Sequence, residues 1–209
     1  MLVTAMITPR TTLRRDHAGF TLVELMITLI VMAVLLAIAV PSFRGTMRRS
    51  YVSGAMSTMN ADLQFARAEA ANRHQFVSVC RSTDGLICAN GQDYDAGYII
   101  YAYDAAAGGT NQVMTATSTT LTLLRYTAAQ ARVSIQATDA NVLTFGQIGQ
   151  PEPNGTRPTM NFTVCGRTPG QTSGLGTNNN ESPGGRLALG QSGSITSYKL
   201  STSTTCVAS

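Results

Sequence analysis

The sequence predicts an α+β fold, in which one long amino-terminal helix, hydrophobic over its first half, packs through its second half on antiparallel β-sheets. Three observations predict it. The run from Phe20 to Val40 carries a single charged residue, Glu24, and is long enough to cross a bilayer. From Met47 to Ala70, apolar residues recur at mixed spacings of three, four and five (Met47, Val52, Ala55, Met56, Met59, Leu63, Ala66, Ala70), the pattern of an amphipathic helix. Beyond Arg73 the pattern changes to short β-branched and aromatic runs, separated by loops rich in Gly, Ser, Thr, Asn and Pro.

Residues 1–19 read as a leader. They contain Arg10, Arg14, Arg15 and His17 and end in Gly19, with the apolar run starting only after that glycine. An ordinary secretory signal has its apolar core before a small-residue cleavage site, so this segment is of another kind. Residues 20–50 form the membrane half of the helix. Glu24 near its start is the informative residue, because an unpaired carboxylate in hydrocarbon costs about 2.5 to 3.5 kcal/mol on insertion scales and so implies a partner. Three arginines precede the run and three follow it (Arg44, Arg48, Arg49), which leaves the positive-inside rule nearly balanced. Pro41 and Gly45 are the natural places for a bend or local unwinding.

Residues 51–209 form the folded domain, helical to about residue 73. Leu63, Ala66 and Ala70 mark the packed face, and Asp62, Arg67, Glu69 and Arg73 are expected around the rest, with Glu69 and Arg73 paired one turn apart. Met47, Met56 and Met59 read as packing residues. Strands are expected at 75–80, 97–103, 121–126, 132–136, 142–146, 161–165, 186–189 and 195–200. The polar, glycine-rich stretch 168–184 reads as an exposed loop.

Charge and cysteine usage narrow the function. The net charge of +4 arises in the flanks of the apolar run, since from Tyr51 onward nine basic residues face nine acidic ones. A neutral domain is poor support for nucleic-acid binding, and Arg157, Arg167 and Arg186 read as ordinary solvated charges. The four cysteines, Cys80, Cys88, Cys165 and Cys206, all follow the apolar run, an even number suited to disulfides in an oxidising compartment. Three pairings are possible, and pairing of nearest neighbours, Cys80 with Cys88 and Cys165 with Cys206, is expected. With no Cys-x-x-Cys pair and no histidine cluster, neither a metal nor another cofactor is expected. Oxidised cysteines put the domain outside the cytoplasm and the amino terminus inside. Catalytic residues are not expected: His74 stands where the helix should end, and Asp93 and Asp95 read as a solvated turn rather than a calcium site.

The stretch Gly19 to Phe43, GFTLVELMITLIVMAVLLAIAVPSF, resembles the prepilin signature of type IV pilins and type II secretion pseudopilins. The resemblance implies cleavage between Gly19 and Phe20 by a prepilin peptidase, N-methylation of Phe20, a register role for Glu24 against the Phe20 amine of a neighbouring subunit, and a helix loosened at Pro41. Ala61 to Ser82, with Asp84-Gly85, Cys88 and the aromatic strand at Tyr98, is similar to the minor pilins grouped as the GspH/FimT family. Gly185 to Leu189 resembles that family's penultimate strand, but where DNA-binding members carry a basic turn this chain reads Ser192-Gly193-Ser194-Ile195. The implied function is that of a minor type IV pilin, a structural subunit at the initiation complex or tip of a pilus used in twitching motility and adhesion. Its implied partners are other minor pilins, the major pilin and the inner membrane before assembly. A minor pseudopilin of a type II secretion system is the alternative, and a DNA-uptake pilin a further one that the missing basic turn disfavours.

Overall fold

The computed structural model describes residues 19–104, 106, 108–156, 159–202 and 204–208, without the side chains of Val40, Pro41 and Ser42. The leader up to residue 18, including Arg10, Arg14, Arg15 and His17, and Arg157 fall outside the described residues. Two compact units are present, Met1–Pro41 and Ser42–Ser209. Helix α1 is assigned from Leu22 to Arg73, and its helical assignment continues through Pro41.

After α1 the order is β1 (Phe76–Arg81), a short 3-10 turn (Tyr94–Ala96), β2 (Tyr98–Tyr103), β3 (Thr122–Thr127), β4 (Val133–Ala137), β5 (Leu143–Phe145), β6 (Pro151–Glu152), β7 (Asn161–Gly166), β8 (Gly185–Leu189) and β9 (Ile195–Lys199). All eight expected strands are present, each end within one residue. The addition is β6, a two-residue pairing at a sheet edge that opens on a proline and has no alternation to read. The strands make two antiparallel sheets, β3-β2-β1-β5-β6 and β4-β7-β8-β9.

Within the second unit the helix is the shared floor of both sheets. Val52, Ala55, Met59, Leu63, Ala66 and Ala70 are buried in one core with Val77, Val79, Tyr98, Ile100 and Phe145 of the first sheet and Ile135, Phe162, Val164 and Leu187 of the second. Once Met47, which is exposed, and Met56, which is half-buried, are set aside, the buried helical positions follow a strict three-and-four stripe. Strand β2 is buried on both faces. Tyr98, Ile100 and Ala102 enter the main core, whereas Ile99, Tyr101 and Tyr103 form a second cluster with Cys80 and Val142, packed against by Met114 and Leu121.

The helix ends at a left-handed residue. His74 has φ 54, and the Gln75 N–H donates to the Ala70 carbonyl at 3.3 Å, the six-to-one bond of a Schellman termination. His74 is exposed, so its role is backbone geometry.

Candidate functional site

In the first unit the site is the start of α1. Thr21 precedes the first helical residue, and its Oγ1 accepts the Glu24 N–H at 3.2 Å, while the Leu25 N–H donates to the Thr21 carbonyl at 3.2 Å. Thr21 is therefore the amino-terminal cap of the helix, its hydroxyl taking up the backbone N–H three residues on. A carboxylate in the first turn is favoured by the helix dipole, which gives Glu24 a local structural task in addition to any partner. The side chain is exposed, and no described residue pairs with it. Every residue of the membrane-length apolar window Leu22–Ala39 is exposed, and Phe20 is 80% exposed. A surface that large and that apolar is stable only when lipid or protein covers it. Gly19, Phe20 and Thr21 lie outside the helix, so the backbone at the expected cleavage point is not held in helical hydrogen bonding.

In the second unit, covalent and ionic ties hold the body together. Cys80 is bonded to Cys88 and Cys165 to Cys206, closing separations of 8 and 41 residues. The second bond anchors the carboxy-terminal segment beside Leu200. Gly184 passes so close that a Cβ there would stand 2.7 Å from the Cys165 sulfur.

Three expectations about polar residues are corrected. Asp62 does not lie on the solvated side of the helix: it is buried, and its carboxylate accepts from Tyr98 Oη at 2.7 Å, Thr127 Oγ1 at 2.7 Å and Arg125 at 2.6 Å. These donors come from β2 and β3, so Asp62 bolts the helix to the edge of the first sheet. Burial, and then the Asp62 hydrogen bond, push the pKa of the Tyr98 phenol well above its ordinary value and keep it protonated.

Arg167 is likewise not solvated. It is 5% exposed and donates to Asp95 at 2.6 Å, to the Val133 carbonyl at 2.5 Å and to the Gly174 carbonyl at 2.8 and 2.9 Å, while Asp95 accepts the Ile135 N–H at 2.8 Å. Asp95 is thus part of a buried ion pair and Asp93 pairs with Arg81 at 2.8 Å, so both carboxylates of the expected solvated turn have cationic partners. Among the described residues no three potential metal ligands cluster.

The stretch 168–184 is tied down rather than simply exposed. Thr177 donates to the Gly166 carbonyl at 2.9 Å, Asn178 reaches the Ser201 and Thr204 carbonyls at 2.6 and 3.0 Å, and Ser182 is fully buried. Arg49 of the helix donates to the carbonyls of Glu181 and Asn180 at 2.6 and 2.8 Å. At the β8–β9 turn, Arg67 donates to the carbonyls of Gly149, Ser192 and Gly193 at 3.0, 3.1 and 2.9 Å. One cation does reach the turn, but its donors are spent on the protein's own backbone. Glu69 and Arg73 pair at 2.5 Å, as their spacing predicts.

Two family models match the chain. That described as type II transport protein GspH covers residues 55–205, and that of the prokaryotic N-terminal methylation motif covers residues 14–40. The chain belongs to the GspH family. Its resemblance to pilins and pseudopilins is thereby that of a structural subunit. Two crystal forms of the type IV minor pilin FimU of Pseudomonas aeruginosa are similar to this GspH-family chain. The first is 21% identical, covering 75% of this chain and 93% of FimU at a TM-score of 0.47, and the second is 22% identical, covering 73% and 95% at 0.43. No curated protein matches it.

Proposed function

We propose that this GspH-family chain is a minor type IV pilin, made as a membrane precursor, cut between Gly19 and Phe20 by a prepilin peptidase, methylated on Phe20 and assembled with other minor pilins and the major pilin at the initiation complex or tip of a pilus. The observation that carries this reading is the segment Leu22–Ala39, apolar and exposed on every side, headed by Glu24 and matched by the N-terminal methylation motif. Residues 20–50 would lie first in the inner membrane and then in the filament core, with residues 51–209 outside the cytoplasm, where Cys80–Cys88 and Cys165–Cys206 persist oxidised. Glu24 would meet the amino group of a neighbouring Phe20. In a low-dielectric core each charge relieves the other's desolvation, so losing one partner is worse than losing both. Pro41 is assigned the role of local loosening on assembly. The mechanism is packing, with no substrate and no cofactor.

A second reading, a minor pseudopilin of a type II secretion system, is favoured by the description of the matched family. Gene deletion separates the two. Loss of surface pili and of twitching with normal exoprotein release supports the pilin, whereas intact pili with exoproteins trapped in the periplasm supports the pseudopilin and overturns the first. Glu24→Ala is expected to be cleaved after Gly19 and yet excluded from the filament, and normal incorporation removes the register role. DNA uptake is disfavoured, because the Ser192–Ser194 turn carries no cation of its own and Arg67 is consumed by carbonyls.

A further inference from the structure

The second unit opens with an apolar stripe, exposed at Phe43 and Met47 and half-buried at Tyr51, which packs against the main core. Phe43, Met47 and Tyr51 recur at every fourth position, and so lie on one helical face. They line a cleft together with Arg44, Arg48, Arg132, residues 168–172 and Arg167, the last already paired with Asp95, and no described Asp or Glu lines it. The Arg132 guanidinium lies over the Tyr51 ring, 4.8 Å from its centre, which holds that cation at the cleft rather than free in solvent. Arg48 donates to the Gly166 carbonyl at 3.2 Å and to Thr177, neither of which neutralises it. Arg44, Arg48 and Arg132 form no ion pair among the described residues, whereas Arg73, Arg81, Arg125 and Arg167 each have a carboxylate.

Guanidinium groups with no carboxylate partner among the described residues, beside a Phe43-Met47 surface that runs into half-buried Tyr51, match the two halves of a phospholipid, a phosphate and its acyl chains. Chain connectivity supplies the source. Arg44 follows Ala39, the last residue of the membrane-length apolar window, by five residues, a reach of at most about 18 Å even fully extended. We infer that this cleft is a site for the headgroup of an anionic phospholipid at the outer face of the membrane, occupied while the chain awaits assembly. The inference rests on the membrane-precursor reading above.

The test uses the detergent-purified full chain, offered equal amounts of phosphatidylglycerol and phosphatidylcholine with identical acyl chains and read by native mass spectrometry. The wild type is expected to retain phosphatidylglycerol preferentially, by about fivefold for each contributing arginine. In Arg44→Gln/Arg132→Gln, with both disulfides verified by intact mass, the preference falls to parity, and Lys199→Gln, outside the cleft, keeps it. Equal retention of the two lipids by the wild type overturns the site. So does displacement of the lipid by millimolar inorganic phosphate, which reveals a general anion site, or an unchanged preference in the double variant. Alkaline extraction of membranes from expressing cells checks the parent reading separately: a chain that stays in the pellet is anchored whatever the lipid result, and one that is released fails as a membrane precursor.

Discussion

Helix α1 contains two apolar stretches that behave in opposite ways. From Leu22 to Ala39 the residues are apolar around the whole circumference, and all of them are exposed. From Val52 to Ala70 the buried apolar residues keep to one stripe, and that stripe is covered by two sheets. Ala33, Ala37 and Ala39 apart, the apolar side chains of the first stretch are large, whereas the second places Ala55, Ala66 and Ala70 among Val52, Met59 and Leu63, which lets strands approach the helix closely. A one-sided stripe specifies one internal partner surface. An all-round apolar surface asks for surroundings on every side, which the chain's own domain does not supply.

That contrast can be broken by substitution. The largest effect is expected at the buried pair, where Arg167→Ala strands Asp95 in the interior and should lower the unfolding free energy by about 3 to 5 kcal/mol, read by chemical denaturation. A smaller loss would mean that water reaches this site. Next, Leu63→Ala should cost about 2 to 4 kcal/mol while Leu29→Ala, chemically the same change, leaves domain unfolding within about 0.5 kcal/mol. Equal costs would abolish the distinction between the stretches. Replacing Cys80 and Cys88 together by Ala should cost about 2.5 kcal/mol in the chain-entropy account, against about 4 for the longer loop closed by Cys165 and Cys206.

The smallest expected effect lies at the solvent edge of the domain. The Leu86 and then the Ile87 backbone N–H groups hold the fully exposed Asp84 carboxyl below the usual aspartate range. Because its folded pKa is depressed, Asp84 contributes stability above the ordinary aspartate pKa and loses it as the pH falls through the folded value. NMR titration should show the depressed midpoint, and Asp84→Asn should remove this contribution to the acid limb of the stability profile. A midpoint at the ordinary value would show that the turn does not hold the carboxylate.

Much of this was legible in the sequence because it is local. Alternation, loop composition and helical period each depend on neighbours within a few residues, and so the eight strands and the end of α1 follow from them. What could not be read were the destinations of the charges. Asp62 sits three residues from Met59, four from Ala66 and next to Leu63, at the margin of the packed stripe, and only the arrival of Tyr98, Arg125 and Thr127 makes it an interior residue. Arg167 appeared solvated because its partner Asp95 is 72 residues away. The stretch 168–184 has the composition of a free loop, and its order comes from Arg48, Arg49 and the Cys165–Cys206 bond.

By itself, then, the sequence determined that the chain has an apolar segment of membrane length with Glu24 near its start, a helix with one stripe to bury, and strands enough to bury it, since each is a property of short-range periodicity. Tertiary structure alone decided which carboxylates and arginines are spent inside the domain and which, Arg44, Arg48 and Arg132 among them, have no counter-charge among the described residues. Ionic pairing depends on distances in space between residues far apart in the chain, and such distances exist only once the two sheets have closed on the helix.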